Sequence, residues 1–174
     1  MEILVFSDSH GRVEGMRRAL TLQVKRPDLI LHTGDGAGDL EYLQTRGVPT
    51  LAVRGNCDLF TVSAHLTEEF VFEELGHKIL MTHGHRYGIK GGMGGLLTHA
   101  VEIGADIVLF GHTHIPHESC IPVGETIGDK ILTRPLYLFN PGSIGRNEDG
   151  EGLSFGTISL TEKSVLLSHG RVRI

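Results

Sequence analysis

The amino-acid sequence predicts a protein of the α/β (α+β) class, with two packed β-sheets and helices on their outer faces. The first observation is that short apolar runs alternate with helical stretches near the start of the chain. The second is that the last third of the chain contains only strand and turn patterns. No repeat, linker or low-complexity segment divides the 174 residues, so we expect one domain over residues 1–174.

Three strands are predicted first, because their segments are short, rich in branched residues and bounded by Gly, Asp, Asn or Pro. These segments are 2–6, 29–32 and 50–53. Residues 13–24 and 39–47 carry apolar residues at helical spacing, and Gly47 is a usual helix stop. The resulting β-α-β-α-β order needs right-handed crossovers and therefore predicts a mostly parallel, buried sheet.

The chain after residue 65 predicts antiparallel strands. Residues 69–75 and 77–83 have the pattern of a hairpin that turns at Gly76. A helix is predicted at about 93–103 and a strand at 106–110. The remaining strand patterns cover 131–140, 153–161 and 163–174.

Composition bounds the class of protein. With 16 Lys and Arg against 21 Asp and Glu, the net charge of −5 argues against a broad nucleic-acid surface, although a local basic groove stays open. The sequence has neither a run of about 20 apolar residues nor a basic flank before its first apolar stretch, so neither a membrane span nor a signal peptide is expected. Cys57 and Cys120 form no disulfide framework, which favours a reducing, cytoplasmic location. A homo-oligomer is left open.

Side chains that can bind a metal follow the predicted strands at the point where each strand ends. They are Asp8, His10, Asp35, Asn56, His83, His112 and His114. Ligands of open α/β sheets bind beyond the carboxyl ends of the strands, so we expect these side chains at one sheet edge. His112 and His114 project to the same side of an extended chain, because they are two residues apart.

The chemistry of this set indicates more than one ion. Carboxylate, amide oxygen and imidazole suit Mn²⁺, Fe²⁺, Co²⁺, Ni²⁺ or Zn²⁺. Seven donor residues are too many for one catalytic zinc with three protein ligands. They are enough for two ions that share a bridging carboxylate.

Five short motifs in this order resemble those of the calcineurin-like metallophosphoesterases. They are DSH at 8–10, GD at 34–35, GNCD at 55–58, THGH at 82–85 and GHTH at 111–114. The segment NPGS at 140–143 resembles a motif of one branch of that family, the small bacterial and archaeal YfcE-type phosphodiesterases. The resemblance implies a four-layer αββα sandwich, in which helices flank two mixed sheets and a dimetal site lies at the carboxyl ends of the strands.

The resemblance also implies ligands for each ion. Asp8, His10 and His114 would hold one ion, Asn56, His83 and His112 the other, and Asp35 would bridge both. Mn²⁺ is the first choice, with Ni, Co, Fe, Zn and Mg left open. Two cations about 3.5–4 Å apart activate a bridging water and stabilise both oxygens of an in-line displacement. The implied function is hydrolysis of a small phosphodiester by a metal-bridging hydroxide.

One residue departs from the family pattern. Many family members have a histidine where this chain has Cys57, and that histidine protonates the leaving group. A thiol has an unperturbed pKa of about 8.5 and can in principle donate a proton. His85 and Asp58 are the other candidates for the acid. The catalytic residues predicted from the sequence are Asp35, Asn56, Cys57 and His85.

Two alternatives to a simple phosphodiesterase stay open. One is a catalytically weak protein-interaction scaffold, as the retromer subunit of this fold is. That subunit has Asn at the position of Asp35, so the carboxylate here favours an enzyme. The other is a nuclease or cyclic-nucleotide phosphodiesterase. The net charge and the aromatic content, with no Trp, 3 Tyr and 7 Phe, weigh against long nucleic acids but not against short or cyclic nucleotides.

Overall fold

Two five-stranded sheets form the centre of the computed structural model, which describes residues 1–146 and 148–173, without the side chain of Val62. The strands are β1 (Glu2–Phe6), β2 (Leu29–His32), β3 (Thr50–Ala52), β4 (Glu69–Glu74), β5 (His77–Thr82), β6 (Ile107–Leu109), β7 (His117–Ile121), β8 (Thr126–Ile127), β9 (Lys130–Ile131), β10 (Leu136–Asn140), β11 (Leu153–Thr161) and β12 (Ser164–Val172). The α-helices are α1 (Val13–Thr21) and α2 (Gly94–Glu102). Short 3₁₀ helices cover Ala37–Tyr42, Asn56–Asp58, Val62–His65 and His85–Tyr87.

Both sheets are mixed. The first has the order β12-β11-β1-β2-β3, in which β1, β2 and β3 run parallel and β11 pairs antiparallel with both of its neighbours, β1 and β12. The second has the order β4-β5-β6-β10-β7, in which β5, β6 and β10 run parallel and the two edge strands are antiparallel. The strands β8 and β9 pair separately. Each sheet therefore brings the carboxyl ends of three parallel strands to one edge.

The largest hydrophobic core lies between the two sheets. Val5 and Leu31 of the first sheet pack with Met81, Leu109 and Phe139 of the second, and all five are fully buried. Burying a side chain of this size contributes roughly 1.5–3 kcal/mol relative to leaving it exposed. The packing of the two sheets thus fixes the parallel strands of one sheet relative to those of the other.

The outer faces of the sheets are covered by the helices. On the first sheet, Met16 of α1 packs in one cluster with Phe6 and Ile30. On the second, Leu96 of α2 packs in another cluster with Val108. Helix, sheet, sheet and helix form four layers, which confirms the predicted αββα sandwich.

Most predicted elements are confirmed, including the strands at 2–6 and 29–32 and the hairpin that turns at Gly76. Helix α1 ends at Thr21 rather than at residue 24. The predicted helix at 39–47 is wrong, because the chain there forms a 3₁₀ helix that ends at Tyr42. Arg46 and Gly47 both have positive φ angles, of 54° and 82°, which no right-handed helix contains. None of the helices in the described residues has the length and hydropathy needed to cross a bilayer.

Candidate metal centre

The first group of converging side chains consists of Asp8, His10 and His114, from the loops after β1 and β6. Their ligand atoms all lie within 4.8 Å of one another. Nε2 of His114 is 3.1 Å from Oδ1 of Asp8 and 3.3 Å from Nε2 of His10. Asp8 is fully buried, whereas the two imidazoles are partly exposed. The carboxylate of this group is therefore shielded from solvent, whereas its two imidazoles can be reached from solvent.

The second group consists of Asp35, His83 and His112, from the loops after β2, β5 and β6. Their ligand atoms also lie within 4.8 Å of one another. Nε2 of the fully buried His83 is 3.4 Å from Oδ2 of Asp35 and 3.9 Å from Oδ1 of Asp8. The two groups are thus neighbours, with His83 within reach of a carboxylate from each.

Asp35 and His10 connect the groups. Together with Cys57 they form a third set whose ligand atoms lie within 4.8 Å of one another. Asp35 therefore belongs both to this set and to the group of His83 and His112. A carboxylate shared in this way is suited to contact two ions.

Each central carboxylate has one oxygen tied to the backbone. Oδ2 of Asp8 accepts a hydrogen bond from the backbone N–H of His112 at 3.1 Å. Oδ1 of Asp35 accepts one from the backbone N–H of Cys57 at 2.7 Å. In both residues the other oxygen faces an imidazole, at His114 and His83 respectively. The scaffold thus orients each carboxylate and leaves one oxygen turned to the cluster.

His83 is held in one tautomer by the backbone. Its Nδ1 lies 2.9 Å from the carbonyl oxygen of Thr33. A carbonyl can only accept, so Nδ1 carries a proton and donates it. In the neutral ring Nε2 then has a free lone pair directed at the carboxylates, which is the form that binds a metal.

The backbone around these side chains is unusual. In the described part of the chain seven non-glycine residues have positive φ, and five of them are predicted metal ligands. The five are Asp8, His10, Asp35, His112 and His114, with φ between 47° and 68°. Asp and His adopt this region more readily than most residues, yet each such position costs about 1–3 kcal/mol. Such strain concentrates at functional sites, which supports a functional role for this cluster.

The electrostatics of the cluster favour positive charge. Burial would raise the pKa of Asp8, but the imidazole of His114 and the charge of His83 outweigh burial and lower it. Burial acts against the charged form of Asp35 too, but His83 and the N–H of Cys57 hold its pKa well below the usual range. Conversely, burial would lower the pKa of His83, but the carboxylates of Asp35 and Asp8 raise it. The pKa of His114 is raised mainly by Asp8.

The remaining imidazoles favour the neutral form. Burial is the largest cause that lowers the pKa of His112, to about 4, followed by the charges of His83 and Lys90. Burial and the charge of Arg146 lower the pKa of His10. Neutral imidazole is the form that binds metal ions.

The candidates for the leaving-group acid lie at the rim of the cluster. Cys57 is exposed as a whole residue, but partial desolvation of its thiol, together with the Asp35 carboxylate, raises the pKa of the thiol to about 11. Asn56 is exposed as well, and its amide nitrogen donates to the Cys57 sulfur at 3.4 Å. The ring of His85 lies 5.5 Å from that of His83, and burial and the charge of His83 lower its pKa. Cys57 and His85 therefore lie beside the two groups of predicted ligands.

Asp58, considered above as an acid, has a structural role that the sequence does not indicate. Its buried carboxylate accepts three backbone N–H bonds, from Asp35 at 2.9 Å, Gly36 at 2.9 Å and Gly55 at 2.8 Å. Gly55 must be glycine here, because an added Cβ would lie 2.1 Å from Oδ1 of Asp35. Asp58 therefore ties the loops after β2 and β3 together.

The NPGS segment holds two further loops in place. The buried amide nitrogen of Asn140 donates to the carbonyl oxygen of Gly111 at 2.9 Å and to Oγ1 of Thr113 at 3.0 Å. The hydroxyl of Ser143 donates to the carbonyl oxygen of Asp8 at 2.8 Å. This segment thus fixes the backbone beside three predicted ligands, a role that a simple tight turn would not have.

A buried histidine supports the loop after β1. His32 is fully buried, and its Nδ1 accepts a hydrogen bond from the N–H of Gly34 at 3.1 Å. Its Nε2 lies 3.0 Å from Oγ of Ser9, which donates to Oδ2 of Asp39 at 2.6 Å. Ser9 stands between two predicted ligands, so this chain of hydrogen bonds helps to fix both.

The chain is similar to several known proteins. The calcineurin-like phosphoesterase superfamily domain matches residues 1–163. The probable metallophosphoesterase YsnB of Bacillus subtilis is 35% identical over 144 residues, which are 83% of this chain and 75% of that protein. The phosphodiesterase YfcE of Escherichia coli is 25% identical over 190 aligned positions, which cover 95% of this chain and 91% of that protein.

A solved structure with the same fold is Vps29 from Entamoeba histolytica in complex with Zn²⁺. It superposes with a TM-score of 0.68 over 98% of each chain, at 23% sequence identity. At this identity the similarity establishes the fold alone.

Proposed function

The chain belongs to the calcineurin-like phosphoesterase superfamily, and from this premise we propose that it hydrolyses a small phosphodiester with the help of two divalent metal ions. The observation that carries the proposal is a pair of buried polar atoms in the cluster. Within the described residues, neither Oδ1 of Asp8 nor Nε2 of His83 makes a well-aligned hydrogen bond. Leaving such a group unsatisfied costs about 1–3 kcal/mol, and two bound cations, one at each atom, would satisfy them.

The residues present fit this metal centre. Carboxylate and imidazole donors suit divalent ions of the first transition row, and Mn²⁺ is our first choice among them. We assign one ion to Asp8, His10 and His114, the other to Asn56, His83 and His112, and Asp35 to both. When bound, the two ions would supply Lewis acidity that activates water and neutralises phosphate charge.

The chain's own residues would orient these ligands. The backbone N–H of Cys57 fixes one oxygen of Asp35, and the carbonyl of Thr33 fixes the tautomer of His83. Asp58 holds the two loops that carry Asp35 and Asn56. Ligands held in this way need little reorganisation when an ion binds.

A diester is the preferred substrate class in this proposal because of similarity to YfcE, which is named a phosphodiesterase. The net charge of −5 supports a small substrate over a long nucleic acid. Short or cyclic nucleotides are members of the same class.

A panel of hydrolysis assays tests the proposal. Metal-stripped protein is reloaded separately with Mn²⁺, Ni²⁺, Co²⁺, Fe²⁺, Zn²⁺ or Mg²⁺ and given mono- and diesters of nitrophenol, alkyl diesters and cyclic nucleotides. We expect hydrolysis that depends on the added ion and is faster for diesters than for monoesters. Ion-independent background rates with every substrate would contradict an enzyme and favour the scaffold alternative. Faster hydrolysis of monoesters would contradict the diester preference alone.

Cys57 allows a sharper test of the chemistry. We expect Cys57→His to raise turnover of an alkyl phosphodiester, relative to that of a nitrophenyl phosphodiester, by about 10²-fold. The reason is that an imidazole, with an unperturbed pKa near 6.5, can protonate a poor leaving group, whereas nitrophenolate leaves without help. The measurement is the ratio of the two turnover numbers in the variant and the parent.

The matched control is Cys57→Ala. In this variant the ratio of alkyl to nitrophenyl diester turnover should be close to the ratio in the parent. A sharp fall of the ratio in Cys57→Ala would mean that the thiol already serves as the acid. An unchanged ratio in both variants would move the assignment to His85, which His85→Gln then tests.

A further inference from the structure

The second ring nitrogen of His114 has a partner outside the ligand groups. Nε2 of His114 faces Asp8 and His10, as described above. Its Nδ1 lies 3.3 Å from Oε1 of Glu148, in the loop between β10 and β11. An imidazole that uses Nε2 as a metal ligand carries its proton on Nδ1, so Nδ1 needs an acceptor. The Glu148 carboxylate lies where that acceptor is required.

The same arrangement occurs at His83, whose Nδ1 donates to the carbonyl oxygen of Thr33. The two acceptors differ in charge and in burial. The carbonyl belongs to a fully buried residue, whereas the Glu148 side chain is 50% exposed and carries a negative charge. A carboxylate acceptor also makes the ring a stronger base than a carbonyl does, which strengthens its bond to a metal.

The chain on both sides of Glu148 is anchored. On the C-terminal side, Arg171 of β12 donates to both carboxylate oxygens of Asp149, at 3.0 and 2.6 Å. On the N-terminal side, the backbone N–H of Arg146 donates to Oγ of Ser143 at 2.8 Å. Because Ser143 is itself bonded to the carbonyl of Asp8, this anchor connects to the ligand group. Glu148 thus has hydrogen-bonded residues near it on both sides in the chain.

We propose that Glu148 is a positioning residue of the metal centre, whose carboxylate accepts the Nδ1–H of His114 and so presents Nε2 to the ion held with Asp8 and His10. This inference rests on the proposed function, because it assumes that these residues bind an ion. Glu148 would act through His114 and would not itself contact the metal or the substrate.

Titration with Mn²⁺ alone tests this role without an activity assay. Free Mn²⁺ is followed by electron paramagnetic resonance in the parent chain, Glu148→Ala and Glu148→Gln. We expect Glu148→Ala to weaken one of the two binding events by about 10–100-fold and to leave the other unchanged. Glu148→Gln keeps an acceptor without the charge, so its loss should be smaller.

The matched control is Glu151→Gln. Glu151 is in the same loop, its side chain is 74% exposed, and it contacts Arg171 at 3.3 Å. This variant should bind both ions like the parent. Equal thermal unfolding midpoints of the metal-free proteins would show that each variant is folded, as expected for exposed carboxylates.

A second readout reports the tautomer. Long-range proton–nitrogen NMR spectra of the Zn²⁺-loaded chain should show His114 protonated on Nδ1 in the parent and with altered Nδ1 shifts in Glu148→Ala. A variant that binds both ions as tightly as the parent, with unchanged His114 shifts, would overturn the role of Glu148. A parent chain that binds no ion would overturn the metal centre itself, so the two failures are distinguishable.

Discussion

Asp35→Asn is expected to lower turnover of a nitrophenyl phosphodiester at least about 10³-fold, equivalent to roughly 4 kcal/mol of activation free energy. The neutral amide is a weaker ligand than the carboxylate that connects the ligand groups. The fold should persist, because the amide oxygen can still accept the N–H of Cys57 that Oδ1 of Asp35 accepts now. The measurement is kcat at saturating Mn²⁺, together with the thermal unfolding midpoint.

The matched control for this variant is Asp129→Asn, because Asp129 is exposed in the turn between β8 and β9. It should retain the kcat of the parent. If Asp35→Asn keeps activity within a factor of about ten, or roughly 1.4 kcal/mol, Asp35 is not a shared ligand.

Asp58→Ala is expected to destabilise the metal-free protein by at least about 3 kcal/mol. The substitution leaves three backbone N–H groups without their acceptor, those of Asp35, Gly36 and Gly55. Each unsatisfied buried donor costs about 1–3 kcal/mol, although water entering the space would reduce the sum. Urea unfolding of metal-stripped protein gives the free energy, and Asp129→Ala is the control.

Asp58→Asn should lower the free energy of unfolding by an intermediate amount. Its amide oxygen can accept some of these hydrogen bonds, but its NH₂ group cannot accept the bond from the remaining N–H. An unfolding free energy of Asp58→Ala within about 1 kcal/mol of the parent would contradict the assigned role, since a surface substitution has an effect of that size or less.

The location of the cluster could be predicted because its side chains follow buried strands closely. β1 ends at Phe6, shortly before Asp8, and β5 ends at Thr82, immediately before His83. An apolar run followed by a polar ligand is a local pattern, and parallel strands bring such points to one edge. Which residues bind an ion stays a prediction, and so does the acid.

The helix predicted at 39–47 shows why a local pattern can mislead. Leu40 and Leu43 are both buried in the core under α1, so the apolar spacing was correct as a sign of burial. A 3₁₀ helix satisfies the same spacing, but the extended backbone of Leu43, with φ −87° and ψ 120°, ends the helix there. The positive φ of Arg46 then keeps the chain after it from being helical. Positive φ at an arginine has no signature in sequence.

The residues that support the cluster were missed for a different reason. Asp58 accepts N–H groups from two loops, and Glu148 contacts a histidine 34 positions earlier in the chain. Such contacts depend on how loops fold back on one another, and no short-range pattern encodes them. Asn140 and Ser143 lie in a motif that the sequence brought to notice, but their partners appear only in the folded chain.

Metal analysis after reconstitution tests the central claim most directly. The metal-stripped chain is incubated with excess Mn²⁺, freed of unbound ion by gel filtration and analysed by elemental methods with the protein concentration measured in parallel. We predict two Mn²⁺ ions per chain, and fewer than two in Asp35→Asn treated in the same way. One tightly held ion per parent chain, or none, would contradict a dinuclear phosphoesterase centre.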